Sequence, residues 1–338
     1  MSAQAPPHPA RPRFRWPPNG TGQFVALALV FLANYLVSPQ FFDIRLQDGR
    51  LFGSLVDVFY RGAPVALLAL GMTLVIATRG IDLSVGAVMA IVGAVAASLA
   101  DTEPFALTLA VSLGIGLLCG VWNGFLVAVL RIQPIVATLI LMVAGRGIAQ
   151  LITEGRIVTF YSEALAWFAR GTVLTVPAPI VLLLAVFLLT LLLVRGTALG
   201  LMIEATGAND RAAALAGVGT YATTILVYVW SGLCAALAGL VVAADIRGAD
   251  ANNAGLWLEL DAILAVVIGG TSLFGGRFHL GLAVVGAFII QAMNTGILLS
   301  GFPPEFNLIV KAVAVLLVLL MQSPALQGLF ERLTRRGS

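Results

Sequence analysis

The sequence has a single lysine, Lys311, among its 338 residues, and this scarcity limits how the protein can obtain energy. A nucleotide-binding P-loop has the pattern G-x-x-x-x-G-K-[ST], in which the lysine reaches the phosphates. Lys311 is followed by alanine and valine and lies in an apolar run. No P-loop is therefore possible here. If ATP and Mg²⁺ power the protein, another polypeptide must bind them, and we expect no cofactor on this chain.

Histidine and cysteine are equally scarce, with two of each. His8 and His279 are remote from each other in the sequence, so they form no zinc-binding pattern, and no nucleophile lies beside a base. An intramembrane enzyme is therefore disfavoured, and neither a metal site nor a catalytic residue is expected. Cys119 and Cys234 lie inside apolar runs, which is typical of buried thiols rather than of a disulfide.

Charge is also sparse, because charged residues make up only 10% of the chain and hydrophobic residues 60%. The mean hydropathy is +1.02, whereas a soluble domain is about 25% charged. A soluble fold of this length could not bury so much apolar surface, so lipid must surround most of the chain. The arginines are dispersed and do not cluster with aromatic residues, so nucleic-acid binding is not expected.

Continuous apolar runs predict an all-α integral membrane protein with about ten transmembrane helices rather than a barrel, whose strands would alternate. The predicted spans are 22–38, 57–78, 82–100, 104–130, 133–152, 177–194, 221–244, 260–275, 279–300 and 306–322. If the N-terminus is cytoplasmic, eleven arginines lie in cytoplasmic segments and five in the outer loops, and this bias favours cytoplasmic termini. We expect one membrane domain over 23–322, a disordered cytoplasmic tail over 1–22 and a cytoplasmic tail over 323–338.

The stretch ATGANDRAAALAGVG (205–219) is too polar to cross a bilayer and lies in the longest predicted cytoplasmic loop. Asn209 suits a helix N-cap, Asp210 suits the first turn, and Gly217 suits a C-terminal stop. The residues between them favour a helix of about two turns. It would serve either as a docking element for a partner or as a short helix lying on the lipid headgroups.

The same stretch resembles the cytoplasmic loop of ABC importer permeases, with Ala212, Ala213 and Gly217 matching its EAA-x-x-x-G spacing, although Arg211 replaces the acid. It is more similar to the G-x-N-x-x-A-A-x-x-x-G form of ribose-type monosaccharide permeases. Three further stretches resemble that family: GMTLVIATRGIDLSVGAVMA (71–90), WNGFLVAVLRIQPIVATLILM (122–142) and GLWLELDAILAVVIGGTSLFGG (255–276). The resemblance thus covers nearly the whole membrane domain.

This resemblance implies a permease subunit of an importer in the bacterial inner membrane. Its partners would be an ABC ATPase, a second permease subunit and a periplasmic sugar-binding protein, and its substrate a monosaccharide. The sequence around 243–270 and 293–305 is most similar to that of members that import galactofuranose, while ribose and xylose remain open as substrates. The ATPase would contact a coupling helix formed by Asn209, Asp210, Arg211, Ala212, Ala213, Leu215 and Gly217.

Several polar residues within the apolar runs are candidates for a translocation path, since a sugar needs amides and aromatic faces in a wet path. They are Asp82, Trp122, Asn123, Gln291 and Asn294. Hydrogen bonds between helices explain the amides equally well. Asp82 could also begin the third helix beside a snorkelling Arg79. Arg61, Arg146 and Lys311 are expected to be packing or snorkelling residues.

The polar segment between the seventh and eighth spans would be the docking site of the binding protein, or simply a solvated loop with a helix cap. Its candidate residues are Asp245, Arg247, Asp250, Glu259 and Asp261. An ion-coupled secondary transporter is the alternative function, and it would need a carboxylate or cation site near mid-membrane. The positions predicted for Asp82 and Asp261, near span ends, count against it.

Overall fold

The computed structural model describes residues 20–47, 49–303 and 305–322, which form helices joined by turns, with three small two-stranded pairs. The helices are α1 (Thr21–Val37), α2 (Ser54–Ala77), α3 (Val85–Leu99), α4 (Phe105–Ala128), α5 (Pro134–Ile152), α6 (Glu163–Arg170), α7 (Ala178–Arg195), α8 (Leu199–Ala208), α9 (Asp210–Leu215), α10 (Thr220–Ile246), α11 (Leu258–Ile268), α12 (Leu280–Leu299) and α13 (Phe306–Gln322). The strands are β1 (Arg45–Gln47), β2 (Arg50–Phe52), β3 (Val158–Thr159), β4 (Thr172–Val173), β5 (Val176–Pro177) and β6 (Gly248–Ala249), paired antiparallel as β1–β2, β3–β6 and β4–β5.

All ten predicted windows contain a helix, but they differ in length. Among the described residues, six helices are long and apolar enough to cross a membrane: α2, α4, α5, α7, α10 and α12. Helices α1 and α13 have 17 residues each. The predicted tail over 323–338 lies outside the described residues, as does the predicted N-terminal tail up to residue 19, while Thr21 already begins α1.

Two of the predicted spans are wrong in their extent. The window 82–100 contains α3, which has 15 residues, and the window 260–275 contains α11, which has 11. At about 1.5 Å per residue, α11 is about 16 Å long, roughly half the thickness of a hydrocarbon core. The window 82–100 is too long by a few residues at its start, where Asp82 and Ser84 precede α3. The window 260–275 is too long because the turn 269–276 after α11 is glycine-rich and uncharged, so hydropathy does not mark the end of that helix.

The turn before α11 reaches deep into the protein. A Cβ atom added to Gly86, in the first turn of α3, would lie 2.4 Å from the carbonyl oxygen of Gly255. Gly255 and Trp257 both have positive φ, at 69° and 65°. Non-helical backbone at this depth is tolerated where protein covers it. Helix α11 is thus a half-length helix, whereas α3, about 22 Å long, is only somewhat shorter than a full span, and the two meet near their first residues.

The loops gather at two ends of the bundle. At one end, Asp101 accepts hydrogen bonds from the backbone of Tyr161 and Ser162, and β3 pairs with β6. At the other, which we call the α9 end, the N–H of Gly276 donates to the carbonyl of Ala77. The segments predicted to be cytoplasmic and those predicted to be external therefore lie at different ends of the bundle.

Small residues allow the central helices to pack closely. Gly116, Gly120 and Gly124 of α4 face α10, where a Cβ atom on Gly116 would lie 2.6 Å from the carbonyl of Gly232. On another face of α10, Gly239 lies against the backbone of Met89 in α3. Close approach of α4, α3 and α2 to α10 buries the centre of the bundle, as is usual for membrane helices.

Candidate functional site

The predicted short helix in 205–219 is present as α9. The Oδ1 atom of Asn209 accepts a hydrogen bond from the N–H of Ala212 at 3.1 Å, so Asn209 is the N-cap. Asp210 lies in the first turn, Ala213 is the buried residue of the helix, and Gly217 follows with a φ of 87°. These local features match the prediction, whereas helix α8, in the same connection, was not predicted.

The outer face of α9 is apolar and exposed. The Leu215 side chain is 91% exposed, and Arg211, Ala212 and Asp210 are also exposed. Phe274, in the turn after α11, is 86% exposed. We call the surface formed by α9 and the turn 271–276 the α9 surface. Two large exposed apolar side chains thus lie on this surface, which makes it a candidate interaction site.

Arg79 connects the two parts of the α9 surface to the transmembrane bundle. Its Nε atom donates to the carbonyl of Phe274 at 3.1 Å, and its Nη2 atom donates to the carbonyl of Ala208, which directly precedes the N-cap of α9. Arg79 itself lies in the break between α2 and α3 and has a φ of 65°. The guanidinium of Arg79 therefore ties two loops together, a role that was not predicted from the sequence, while its snorkelling stays a prediction.

A buried polar cluster surrounds Asp82. Its Oδ1 atom accepts from Ser84 Oγ at 2.6 Å, and its Oδ2 atom accepts from Ser231 Oγ at 2.8 Å. Asn123 donates to Ser84 Oγ at 2.8 Å and more weakly, at 3.4 Å, to Asp82. We call these four residues the Asp82 cluster; it joins the break before α3 to α4 and α10.

The position of Asp82 differs from the prediction in two respects. Its side chain is only 2% exposed, and it contacts Ser231 near the middle of α10 rather than at a span end. No described arginine or lysine forms an ion pair with it. Hydroxyl and amide donors alone solvate this carboxylate, so it links helices and, in this conformation, does not face open solvent.

Gln291 and Asn294 lie apart from the Asp82 cluster, on the same face of α12. Asn294 Nδ2 is 3.5 Å from Gln291 Oε1, while Asn294 Oδ1 is buried without a partner among the described residues. Gln291 lines a cleft of about 220 Å³ between α2, α10 and α12. We call this the Tyr60 cleft, and its other lining residues include Tyr60, Arg61, Pro64, Val241 and Asp245.

Trp122 lies neither in the Asp82 cluster nor in the Tyr60 cleft. Its side chain is 49% exposed, whereas that of its neighbour Asn123 is 1% exposed. The two side chains point in different directions because adjacent helical positions are about 100° apart around the axis. The five predicted path residues therefore occupy three separate places, and Trp122 faces the outside of the described bundle.

The residues predicted to dock a binding protein divide into exposed and buried sets. Arg247 forms a bidentate ion pair with Glu163 at 2.9 Å, at the end opposite α9. Asp250 accepts from Asn253 Nδ2 at 2.7 Å, and this bond holds the pKa of its carboxyl below the ordinary value. Both residues lie among exposed loops, so they remain candidates for docking.

Asp245, Glu259 and Asp261 do not belong to that surface. Asp245 points into the Tyr60 cleft, where its Oδ1 atom accepts from Tyr60 Oη at 2.5 Å. Glu259 and Asp261 are 6% and 4% exposed. Asp261 pairs with Lys311 of α13 at 2.7 Å. Their predicted docking role is wrong because α11 begins inside the bundle, which buries both carboxylates.

Sequence reasoning missed Tyr60, Ser84, Ser231 and Phe274, and it assigned Arg61 to packing. The one available signal was the pair Tyr60-Arg61 within an otherwise apolar run, since an arginine inside a membrane segment requires a polar environment. Single serines in apolar helices carry no comparable signal, because they are common in membrane helices.

Sequence comparisons with known proteins show the family of this chain. The profile of the family described as branched-chain amino acid transport system / permease component matches residues 54–319. The chain is 64% identical to the galactofuranose transporter permease protein YtfT of Escherichia coli K12, covering 96% of this chain and 95% of that protein. No solved structure shows a significant match.

More distant relatives transport other sugars according to their names. Identity is 40% with the fructose import permease protein FruF of Bifidobacterium longum, over 94% of this chain and 91% of the relative. It is 38% with the ribose import permease protein RbsC of Escherichia coli K12, over 88% and 92%. The profile match and these near full-length identities lead to one conclusion: this chain belongs to the family of membrane permease components of transport systems.

Proposed function

We propose that this chain is the transmembrane subunit of an ATP-driven monosaccharide importer and that galactofuranose is its substrate. The relatives named above are sugar permeases, and the 64% identity to the galactofuranose permease is well above the 40% and 38% to the fructose and ribose permeases. This chain has no P-loop lysine. ATP and Mg²⁺ are then bound and used by a separate ATPase subunit.

The α9 surface is the observation that carries this proposal. A capped two-turn helix is too short to be stable alone in water and needs a partner surface. Leu215 and Phe274 supply apolar contacts, while Asp210 and Arg211 supply polar ones. The predicted coupling residues Asn209, Ala212, Ala213 and Gly217 shape the helix, so the ATPase contacts mainly its exposed face.

Arg79 provides a route from the ATPase to the membrane path. Movement of α9 would displace the carbonyl of Ala208 and thereby the guanidinium of Arg79. Arg79 lies three residues before Asp82, whose cluster holds α4 and α10. A shift of the 78–84 break therefore changes the packing of these helices and opens or closes the path between two permease subunits.

In this arrangement the α9 end faces the cytoplasm of a bacterial cell, and both termini are cytoplasmic. The chain crosses the inner membrane ten times, with α3 and α11 each completed by the non-helical segment before it. The opposite end, with Arg247, Glu163 and Asp250, receives a periplasmic sugar-binding protein. A second permease subunit, identical or homologous, completes the path.

Ion-coupled transport is a second candidate, favoured by the buried carboxylates of Asp82 and Glu259 beside the breaks before α3 and α11. Glu259 Oε2 has no hydrogen-bond partner among the described residues. Lys311 forms an ion pair with Asp261, so that carboxylate is not a candidate for coupling an ion to transport. The neutral donors around Asp82 and the sugar permease relatives favour the ATP-driven mechanism.

Reconstitution distinguishes the two mechanisms. The permease, its genomic-neighbour ATPase and its binding protein would be placed in vesicles with labelled galactofuranose. We expect uptake that requires ATP and Mg²⁺ and that is unchanged when proton and sodium gradients are collapsed. Gradient-driven uptake without ATP would instead establish a secondary transporter. Uptake of ribose in preference to galactofuranose would overturn the substrate assignment.

Thiol labelling tests the proposed orientation. Ala216, just after α9, and Leu174, at the opposite end, are both exposed, so a cysteine at either site should react readily. An impermeant maleimide added to intact spheroplasts should label Leu174→Cys but not Ala216→Cys, and permeabilised cells should show both. The unmodified chain is the control, since Cys234 is buried and Cys119 partly so. Reversed labelling would contradict the orientation.

A further inference from the structure

The Tyr60 cleft has features that its neighbours on the bundle surface lack. Arg61 lies in the first half of α2, within an apolar stretch, and its side chain is exposed. Arginine facing lipid at such a position is costly, so side chains of this kind face water-filled cavities. Pro64, Val241 and Val242 add apolar lining to the cleft. A wet cleft with apolar lining and a few polar groups is typical of a small-molecule site.

Three groups in the cleft have unused hydrogen-bonding capacity. Asp245 accepts from Tyr60 through Oδ1, and its Oδ2 atom has no partner among the described residues. Arg61 makes no hydrogen bond or ion pair with any described residue. The amide nitrogen of Gln291 likewise donates to none of them, and Asn294 Oδ1 nearby is unpartnered and buried. The cleft therefore presents both donors and acceptors, which matches hydroxyl groups, since each hydroxyl donates once and accepts twice.

The charges around the cleft are balanced. One basic and one acidic residue, Arg61 and Asp245, line the cleft, and Arg50 and Asp57 lie near it. The Arg50 guanidinium lies 4.8 Å from the centroid of the Tyr60 ring. Equal numbers of both signs favour neither a cation nor an anion, so a neutral polyhydroxylated solute fits best.

The volume limits the size of that solute. The cleft holds about 220 Å³, below the roughly 300–1,000 Å³ of sites for drug-sized ligands. A single sugar ring is of a size that this cleft accommodates.

We infer that the Tyr60 cleft is a monosaccharide-binding station on the translocation path. Asp245 and Gln291 would bind sugar hydroxyls, Arg61 would donate to a ring or hydroxyl oxygen, and Pro64 with Val241 would contact the apolar face of the ring. This inference rests on the proposed function. It reassigns Asp245 from the docking surface to the path, and it gives Arg61 a ligand-binding role.

The test uses the complete transporter in vesicles, with labelled galactofuranose as the probe. Arg61→Gln is the first variant, because this exposed side chain bonds nothing and its loss should not affect folding. Uptake at low sugar concentration should fall by about three- to tenfold, the usual effect of one lost hydrogen bond. Gln291→Ala should behave similarly and should also change the preference between furanose and pyranose sugars.

Asp43→Asn and Arg45→Gln are the matched controls, because they form an exposed pair 3.4 Å apart outside the cleft, next to β1. Both should transport like the unmodified protein, and all variants should retain the ATPase. Unchanged uptake and sugar preference in both cleft variants would overturn the binding station while leaving the proposed function intact. Absence of ATP-dependent sugar uptake by the unmodified complex would instead refute the proposed function.

Discussion

Leu215→Asp should abolish stable association with the ATPase while leaving the permease folded. The side chain is 91% exposed, so the substitution disturbs no contact within the described chain. Burial of a leucine against a partner contributes about 1.5–3 kcal/mol, and its replacement by a charge removes that contribution. The affinity for the ATPase should therefore fall roughly ten- to hundredfold. Co-purification from detergent extracts and sugar-dependent ATPase activity measure the loss.

Leu174→Asp is the matched control for this experiment. Leu174 is 92% exposed, almost the same as Leu215, but it lies between β4 and β5 at the opposite end. The control should keep the ATPase fully bound. If Leu215→Asp retained the ATPase as well, the α9 surface would not be the coupling site, and the role proposed for Arg79 would fail with it.

Asp82→Ala should cause the largest loss of stability among the substitutions considered. It removes the shared acceptor of Ser84 and Ser231, and their buried hydroxyls must then find other partners. An unsatisfied buried polar group costs about 1–3 kcal/mol, so the total should reach about 3 kcal/mol. Thermal unfolding in detergent should show a clear decrease in the melting temperature, whereas Asp43→Ala, at an exposed site, should show none.

Asp82→Asn separates the two possible roles of this carboxylate. The amide keeps the shape and one acceptor, so most of the stability should return, and ATP-dependent uptake should return with it. Restored stability with no uptake would mean that transport needs the negative charge itself. That outcome would favour the ion-coupled mechanism over a purely structural Asp82 cluster.

Local sequence signals succeeded where local interactions dominate. Asn209 and Gly217 mark the two ends of α9. Capping depends on a few adjacent residues, and these can be read in the sequence itself. The same reasoning failed for Glu259, which was expected at an exposed helix cap. Whether that cap faces solvent depends on where α11 begins, and the contact of Gly255 with Gly86, far away in the chain, determines this position.

The sequence by itself determined that the chain lies in a membrane, that helices form it, and that a short capped helix lies between the sixth and seventh predicted spans. Composition and hydrophobic continuity are sufficient for these conclusions, because lipid requires every backbone polar group to be bonded internally. Only the tertiary structure decided that α11 is half-length, that Asp82 is buried, and that Asp245 faces a cleft. Asp82 meets Ser231 across 149 positions and Tyr60 meets Asp245 across 185. Contacts at such separation depend on how helices pack, which no local pattern in the sequence encodes.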